Sequence, residues 1–170
     1  FGYDLFSDYK KIFNKFSINY KNKALEYSKK QCFKRFGGKI GVNMHYSTKS
    51  AFSTYDKSNR ILSDNRKKKI LIATHCFLDN PHPYGKDNIF NDFYEWFDYL
   101  SNFPKKTDYE WYVKTHPDFK IETHKIIKNF LGKYNHLKFV PSNTSHHQLI
   151  NEGIDCVLTV HGTISWEYAY

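Results

Sequence analysis

Hydrophobic residues in the first part of the chain recur three or four positions apart, which is the spacing of one face of an α-helix. Two such stretches occur before Gly37 and Gly38, a pair that is suited to a helix end. The apolar positions are Leu5, Tyr9, Ile12, Phe13 and Phe16 in the first stretch and Tyr20, Ala24, Leu25, Cys32, Phe33 and Phe36 in the second. The pattern predicts a pair of helices within residues 1–38.

The pattern changes after residue 69, where short apolar runs alternate with helical periodicity. The predicted strands lie in KILIATHCF (69–77), YEWYVKTHP (109–117), LKFVP (137–141) and IDCVLTV (154–160), and the predicted helices lie in NIFNDFYEWFDYL (88–100), IETHKIIKNFLGK (121–133) and SHHQLINEG (145–153). In the first of these helices, Ile89, Phe90, Phe93, Trp96, Phe97 and Leu100 fall on one face. Alternation of this kind predicts an α/β fold with a parallel sheet flanked by helices over residues 69–170. Residues 39–68 are polar and aperiodic, and we interpret them as a connector or a loop packed on the surface.

The formal net charge of +9 raises the possibility of nucleic-acid binding, but lysine supplies nearly all of it. Bidentate recognition of phosphates and bases favours arginine, and the chain has only Arg35, Arg60 and Arg66. We therefore expect no specific nucleic-acid partner, and a basic face toward an anionic substrate or an anionic membrane fits equally well. No apolar run reaches the length of a membrane span, and the chain begins without a signal-peptide pattern. These features predict a cytoplasmic protein, with peripheral contact at the inner face of the membrane.

Neither the cysteines nor the histidines are arranged as metal ligands. The three cysteines are far apart and contain no CxxC pair, so they support neither a disulfide framework nor a zinc ribbon. Among the nine histidines only His146 and His147 are adjacent, and neighbours on a helix point apart. The sequence contains no GxSxG motif, which would indicate a serine hydrolase. We predict no metal site and no cofactor.

The second predicted strand ends in KTHP, which brings Lys114, Thr115 and His116 to its carboxyl end. Ligands of parallel sheets bind at that edge. A lysine and a histidine at this position can contact one anionic group, the lysine as a point charge and the histidine as a hydrogen-bond donor. The alternative is a lysine on the rim beside a histidine that ends the strand, and the motif alone does not separate the two.

The fourth predicted strand runs into HGTISWEYAY, a turn followed by a helix start. Gly162 permits the turn, Thr163 and Ser165 can donate to phosphate, and Glu167 can accept from a ribose hydroxyl. The alternative is an ordinary capped helix start in which Glu167 completes a capping box. That alternative accounts for neither His161 nor the polar end of the second strand.

Two loops at the same edge supply weaker candidates. THCFLDNPHPYG (74–85) offers His75, Asp79 and His82, and Asp79 is a candidate base. A turn built by Asp, Asn, Pro and Gly explains that loop at least as well. PSNTSHHQL (141–149) adds Ser145 and His146 as further candidates.

Taken together, KTHP at 114–117 and HGTISWEYA at 161–169 resemble the donor-binding half of GT-B glycosyltransferases, in particular bacterial capsule enzymes that transfer Kdo or sialic acid. The resemblance implies a Rossmann-like domain over 69–170. It also implies that His116, Thr163 and Ser165 bind the donor phosphate, that Glu167 holds the ribose, and that Lys114, His161 and Gly162 assist. One departure is that Gly162 and Thr163 stand where the commoner pattern has Ser-Thr.

The resemblance implies transfer of a sugar from a nucleotide donor to a growing surface glycan, with CMP as the first choice of nucleotide. His116 would then stabilise the leaving phosphate, while the acceptor's base usually comes from the other domain. We also expect the domain to be truncated at its carboxyl end, and the isolated piece to be inactive. Two alternatives remain open: a polyol-phosphate transferase of teichoic-acid type, and a non-catalytic basic binding module.

Overall fold

The computed structural model of the chain describes residues 4–42, 44–78, 89–118, 120–160 and 162–170. Within these residues six α-helices and four strands follow one another, with a short 3₁₀ turn at Pro104–Lys106. In chain order the elements are α1 (Asp4–Lys15), α2 (Ile18–Phe36), β1 (Lys69–Ala73), α3 (Phe93–Ser101), β2 (Glu110–Lys114), α4 (Ile121–Lys133), β3 (Leu137–Val140), α5 (His146–Asn151), β4 (Cys156–Leu158) and α6 (Ile164–Glu167).

The four strands form one parallel sheet in the order β3-β2-β1-β4. This confirms the predicted α/β class and all four predicted strands. β1 lies in the middle, and all five of its residues are buried. A parallel strand that is covered on both faces reads as a continuous apolar run, which explains why KILIA lacks alternation.

Helices cover both faces of the sheet, and successive strand residues separate into two cores. On one face Ile70, Ile72 and Val113 pack against α3 and α4. On the other face Leu71 and Tyr112 pack with Leu149 of α5. This division follows from the two-residue period of a strand, since neighbouring side chains point to opposite faces.

The helix predicted over 88–100 begins later than expected. α3 starts at Phe93, and the side chain of Asp92 caps it by accepting a hydrogen bond from the Glu95 N–H at 2.7 Å. Ile89 therefore lies before the helix, with 91% of its surface exposed. Its assignment to the apolar helical face was wrong, because the local capping bond at Asp92 fixes the start of the helix.

The predicted amino-terminal helices are confirmed as α1 and α2, and Ser17 caps α2 through a bond from the Tyr20 N–H at 3.3 Å. No residue of α2 is buried. Gly38, just beyond the helix, has φ of +84° and its ideal Cβ would lie 2.9 Å from the Phe52 carbonyl oxygen, so only glycine fits there. None of the helices in the described part of the chain is long and apolar enough to cross a membrane.

The described residues between α2 and β1 contain turns and bends but neither helix nor strand, as predicted for a connector. They are nevertheless fastened to the sheet region. Val42, Phe52 and Leu62 are buried. The carboxylate of Glu152 accepts hydrogen bonds from the N–H groups of Ile61, at 2.9 Å, and Leu62, at 2.6 Å. The connector thus packs as part of the core on the α5 side of the sheet.

Candidate functional site

A cavity of about 590 Å³ lies where β1, β2 and β4 end. Its lining includes residues that directly follow each strand: Thr74 and His75 after β1, Thr115 and His116 after β2, and Thr159 after β4. The strand order reverses at β1, because the chain continues to β2 on one side and returns to β4 on the other. Loops that leave such a point in different directions open a crevice at the carboxyl ends of the strands.

Lys114, the last residue of β2, is a buried cation at this cavity. Its side chain is 2% exposed, and its Nζ donates to the carbonyl oxygens of Ser142 at 2.9 Å and Thr115 at 3.5 Å. Among the described residues no carboxylate pairs with it. Burial lowers the pKa of Lys114 to about 8, so the amine is still largely protonated at pH 7. In the part of the chain that the structure describes, the charge is balanced only by carbonyl dipoles, and it favours an anion in the cavity.

His116 lines the same cavity and keeps exposed surface. Packing around the ring removes part of its hydration and lowers its pKa, the Asp118 carboxylate opposes this, and the positive charges of Lys114 and Arg35 add to it. The ring is therefore neutral at pH 7. Its Nδ1 accepts from the Asp118 N–H at 3.1 Å, so the proton of the neutral ring is on Nε2. His116 thus presents a hydrogen-bond donor.

The turn after β4 contains Gly162, Thr163 and Ser165, and it places the first two at the cavity. Gly162 has φ of +120°, in the region that favours glycine, and Thr163 directly precedes α6. Both line the cavity. Within the described residues Ser165 does not, and its hydroxyl donates instead to the Gly162 carbonyl at 2.8 Å. The phosphate-binding role of Ser165 stays a prediction.

Glu167 is buried at 6% exposure and lines the cavity, but its carboxylate is not engaged in a capping box. Its Oε1 accepts from Nε of Arg35 and forms an ion pair with the same guanidinium. Arg35 also donates from Nη2 to the Thr163 hydroxyl at 3.0 Å. The predicted ribose contact of Glu167 stays untested, and its carboxylate is engaged by Arg35.

Arg35 is the functional residue that sequence reasoning missed. It stands in the last turn of α2, 132 positions before Glu167, and it lines the cavity. The scarcity of arginine was the one available signal, because three arginines in a lysine-rich chain are the residues to examine first at an anion site. Nothing in the sequence pairs Arg35 with a particular carboxylate.

His146, a weak candidate from the sequence, also lies at the cavity. It is 4% exposed, and its Nδ1 lies 2.7 Å from the Tyr168 hydroxyl. Burial lowers the pKa of His146 well below its ordinary value, with the nearby positive charge of Lys114 adding to the effect, so the ring is neutral. Burial also raises the pKa of the Tyr168 hydroxyl. Ser145 is buried and precedes α5 without capping it.

The Thr115 hydroxyl is another polar group at the cavity. Its oxygen is fully buried and has no hydrogen-bond partner among the described residues, and Thr115 is 1% exposed and lines the cavity. A buried hydroxyl without a partner is costly, which makes it a ready contact for a polar ligand. The candidates Asp79, His82 and His161 lie outside the described residues.

The arrangement suits binding of an anion. The guanidinium of Arg35 and the carboxylate of Glu167 offset each other, and Lys114 then leaves a net positive charge beside the neutral donors His116, Thr115 and Thr163. Among the described residues no group of three or more His, Cys, Asp or Glu is arranged to hold a metal ion. Comparisons with protein-family models, curated proteins and solved structures found no match to the chain.

Proposed function

We propose that the cavity binds the phosphate and ribose of a nucleotide-activated sugar, and that the chain is the donor-binding, Rossmann-like part of a GT-B glycosyltransferase acting on surface polysaccharide. The observation that carries the proposal is the convergence of two distant motifs. Lys114 and His116 from KTHP and Thr163 and Glu167 from HGTISWE line one cavity of about 590 Å³ at the carboxyl ends of parallel strands.

The charges and donors around the cavity suit a phosphate. Lys114 supplies a positive charge that no described carboxylate balances, and the Nε2–H of neutral His116 supplies a donor. The Thr163 hydroxyl accepts from Arg35 and so keeps its own proton to donate. A carboxylate has about four lone-pair positions, so Glu167 retains acceptor capacity for a ribose hydroxyl beside Arg35.

In the proposed reaction, the bond between the anomeric carbon and the phosphate oxygen breaks while the acceptor hydroxyl forms a bond to that carbon. Negative charge builds on the departing phosphate, and donors already aimed at it stabilise the transition state more than the ground state. His116 and Lys114 would do this here. The proton of the acceptor hydroxyl goes to a base, for which Asp79 is this chain's candidate.

Thermal unfolding in the presence of CMP, CDP, UDP and GDP tests the binding step. A ligand that binds only the native state adds about 2.7 kcal/mol at a hundredfold excess over Kd, so a bound nucleotide raises Tm measurably. We expect the largest shift with CMP. Absence of a shift with every nucleotide at millimolar concentration would favour a non-catalytic basic module.

Replacement of His116 tests the site itself. H116A removes a bond to a charged phosphate, and bonds of that kind are worth about 1.5–3 kcal/mol, so nucleotide affinity should fall at least tenfold. H136A is the matched control, because His136 precedes β3 at the opposite edge of the sheet and bonds to the Ser101 carbonyl. Equal affinity of H116A and H136A would remove His116 from the site.

Replacement of Glu167 separates the ribose from the phosphate. E167A should raise KM for the donor more than it lowers kcat, since a ribose contact is similar in the ground and transition states. A polyol-phosphate transferase would form different products. Its donor has no sugar at the reacting centre, so it releases a nucleotide without transferring a sugar. Product analysis with a nucleotide sugar and with a CDP-linked polyol distinguishes the two activities.

A further inference from the structure

The last turn of α2 reaches into the cavity through one side chain, that of Arg35. Its guanidinium makes an ion pair with Glu167, donates from Nη2 to Thr163 Oγ1 at 3.0 Å, and donates from Nη1 to the Val42 carbonyl at 3.3 Å. The side chains of the ion pair are 14% exposed for Arg35 and 2% for Glu167. All three contacts link the helical segment to groups outside α2.

Without Arg35, the Glu167 carboxylate would be a buried negative charge at a cavity that favours anions. A buried charge that loses its partner is strongly unfavourable, and it would also repel an incoming phosphate. The guanidinium removes that repulsion and fixes the orientation of the carboxylate. The guanidinium is planar and rigid, so it fixes the positions of the Glu167 carboxylate and the Thr163 hydroxyl relative to each other.

The same guanidinium sets the direction of the Thr163 hydroxyl. A threonine hydroxyl has one proton and two lone pairs, and accepting from Arg35 occupies a lone pair. The proton must therefore point elsewhere, and Thr163 lines the cavity. Arg35 thereby favours the state in which Thr163 donates toward a ligand.

The carboxyl end of α2 is held in place by contacts with residues outside the helix. Cζ of Arg35 lies 5.8 Å from the centre of the Trp166 ring, and the ring of Phe36 stacks on Tyr170 at 5.2 Å. The Phe36 carbonyl oxygen lies 2.7 Å from Nε2 of His147. These contacts keep the guanidinium at the cavity although most of α2 is exposed.

We propose that Arg35 is a positioning residue of the nucleotide site, which orients the Glu167 carboxylate and turns the Thr163 hydroxyl toward the ligand. The inference rests on the proposed donor site, and it adds that α2 belongs to that site. Arg35 acts through Glu167 and Thr163 and has no assigned contact with the reacting atoms.

The test is a double-mutant cycle of the parent, R35Q, E167Q and R35Q/E167Q on the full chain with CMP as the probe, read by calorimetric titration of protein shown to be folded by circular dichroism. We expect R35Q to weaken CMP binding at least tenfold. R35K, which keeps the charge but not the fork, should lose less. R35Q/E167Q should bind more tightly than R35Q, because the double variant no longer has an uncompensated carboxylate at the site.

R60Q is the matched control for loss of an arginine that ties distant segments together. Arg60 donates to the Leu62 carbonyl at 2.8 Å and to the Glu152 carbonyl at 3.3 Å, and it does not line the cavity. R60Q should keep the parent's affinity for CMP. If R35Q loses stability but binds CMP like the parent, Arg35 is only a structural tie and the inference is overturned. If the parent binds no nucleotide, the proposed function fails first and this inference fails with it.

Discussion

The amino-terminal region (residues 1–38) and the sheet region (residues 69–170) differ in net charge and in the burial of their aromatic side chains. Residues 1–38 carry nine Lys and Arg against three Asp and Glu, whereas residues 69–170 carry ten against twelve. The positive net charge of the protein therefore lies outside the sheet region that holds most of the cavity. The cation that makes the cavity favourable for anions is the buried amine of Lys114, so the local placement of one charge decides more than the total.

The aromatic residues show the same contrast. Phe97 of α3 is completely buried in the core beside the sheet, whereas Phe33 of α2 is 74% exposed. A large apolar side chain stabilises a fold only through the surface that folding removes from water. The sheet region therefore supplies the stability, and the helical region contributes chiefly at the end of α2.

Paired phenylalanine substitutions would give the largest effect. F97A should lower the free energy of unfolding by about 3–5 kcal/mol, because it leaves a cavity in a close-packed core. F33A should change it by no more than about 0.5 kcal/mol, since the ring is already in water. Urea denaturation of both variants measures the difference, and similar losses in the two would break the comparison between the regions.

The pH dependence of stability should reveal the buried amine. The folded-state pKa of Lys114 is lowered to about 8, so between pH 8 and the unfolded value of 10.5 the unfolded chain binds the extra proton and stability rises with pH. Below pH 8 the full cost of the buried charge is present. Across that window the parent should gain about 3 kcal/mol relative to K114M.

Urea denaturation at pH 7, 8, 9 and 10 measures the slope of this difference. K23M is the control, because Lys23 is an exposed lysine of α2 and its replacement should leave the parent's slope in place. A parent and a K114M variant with parallel pH profiles would show that the amine is hydrated in the folded protein.

Replacement of Glu152, which bonds the connector to the sheet region, should lower the free energy of unfolding by an intermediate amount. E152Q replaces a carboxylate oxygen that accepts from the backbone N–H groups of Ile61 and Leu62, and the loss should be about 1–2 kcal/mol. The exposed Glu26 of α2 offers the comparison, because E26Q removes the same charge without a buried contact. If E26Q destabilises the protein as much as E152Q, net charge rather than the connector bonds is responsible.

Removal of residues 1–16 should have the smallest effect. The described side chains from Asp8 to Phe16 are none of them buried, and Tyr9, Ile12 and Phe16 are each more than 40% exposed. The change in unfolding free energy should stay below about 1 kcal/mol, as is usual for surface residues. Calorimetry of the shortened chain measures it, and loss of a cooperative transition would mean that α1 is part of the folded core.

The sheet was predictable because burial on both faces leaves a strong signal. KILIA and EWYVK are apolar runs whose side chains enter two cores, and no helical periodicity competes with them. The helix in IETHKIIKNFLGK was predicted to end near Gly132, and α4 is observed at Ile121–Lys133. The start of α3 was missed because one side-chain cap at Asp92 outweighs the apolar spacing that begins at Ile89.

The site was only partly predictable from the same sequence. Lys114, His116 and Thr163 were found because each ends or follows a strand, and parallel strands bring their carboxyl ends together. Arg35 was not found, since its partners are 128 and 132 positions away and a helical residue carries no sign of a distant contact. The low exposure of Lys114 was also hidden, because it depends on how the loop that contains Ser142 folds over the amine.

The strand order has a consequence for handling the protein at high concentration. β3 and β4 form the two edges of the sheet, and an edge strand offers backbone N–H and C=O groups to any other strand that approaches it. On β3 the exposed Lys138 opposes such an approach by its charge. β4 consists of Cys156, Val157 and Leu158 and carries no charge, so self-association by strand addition should begin at that edge.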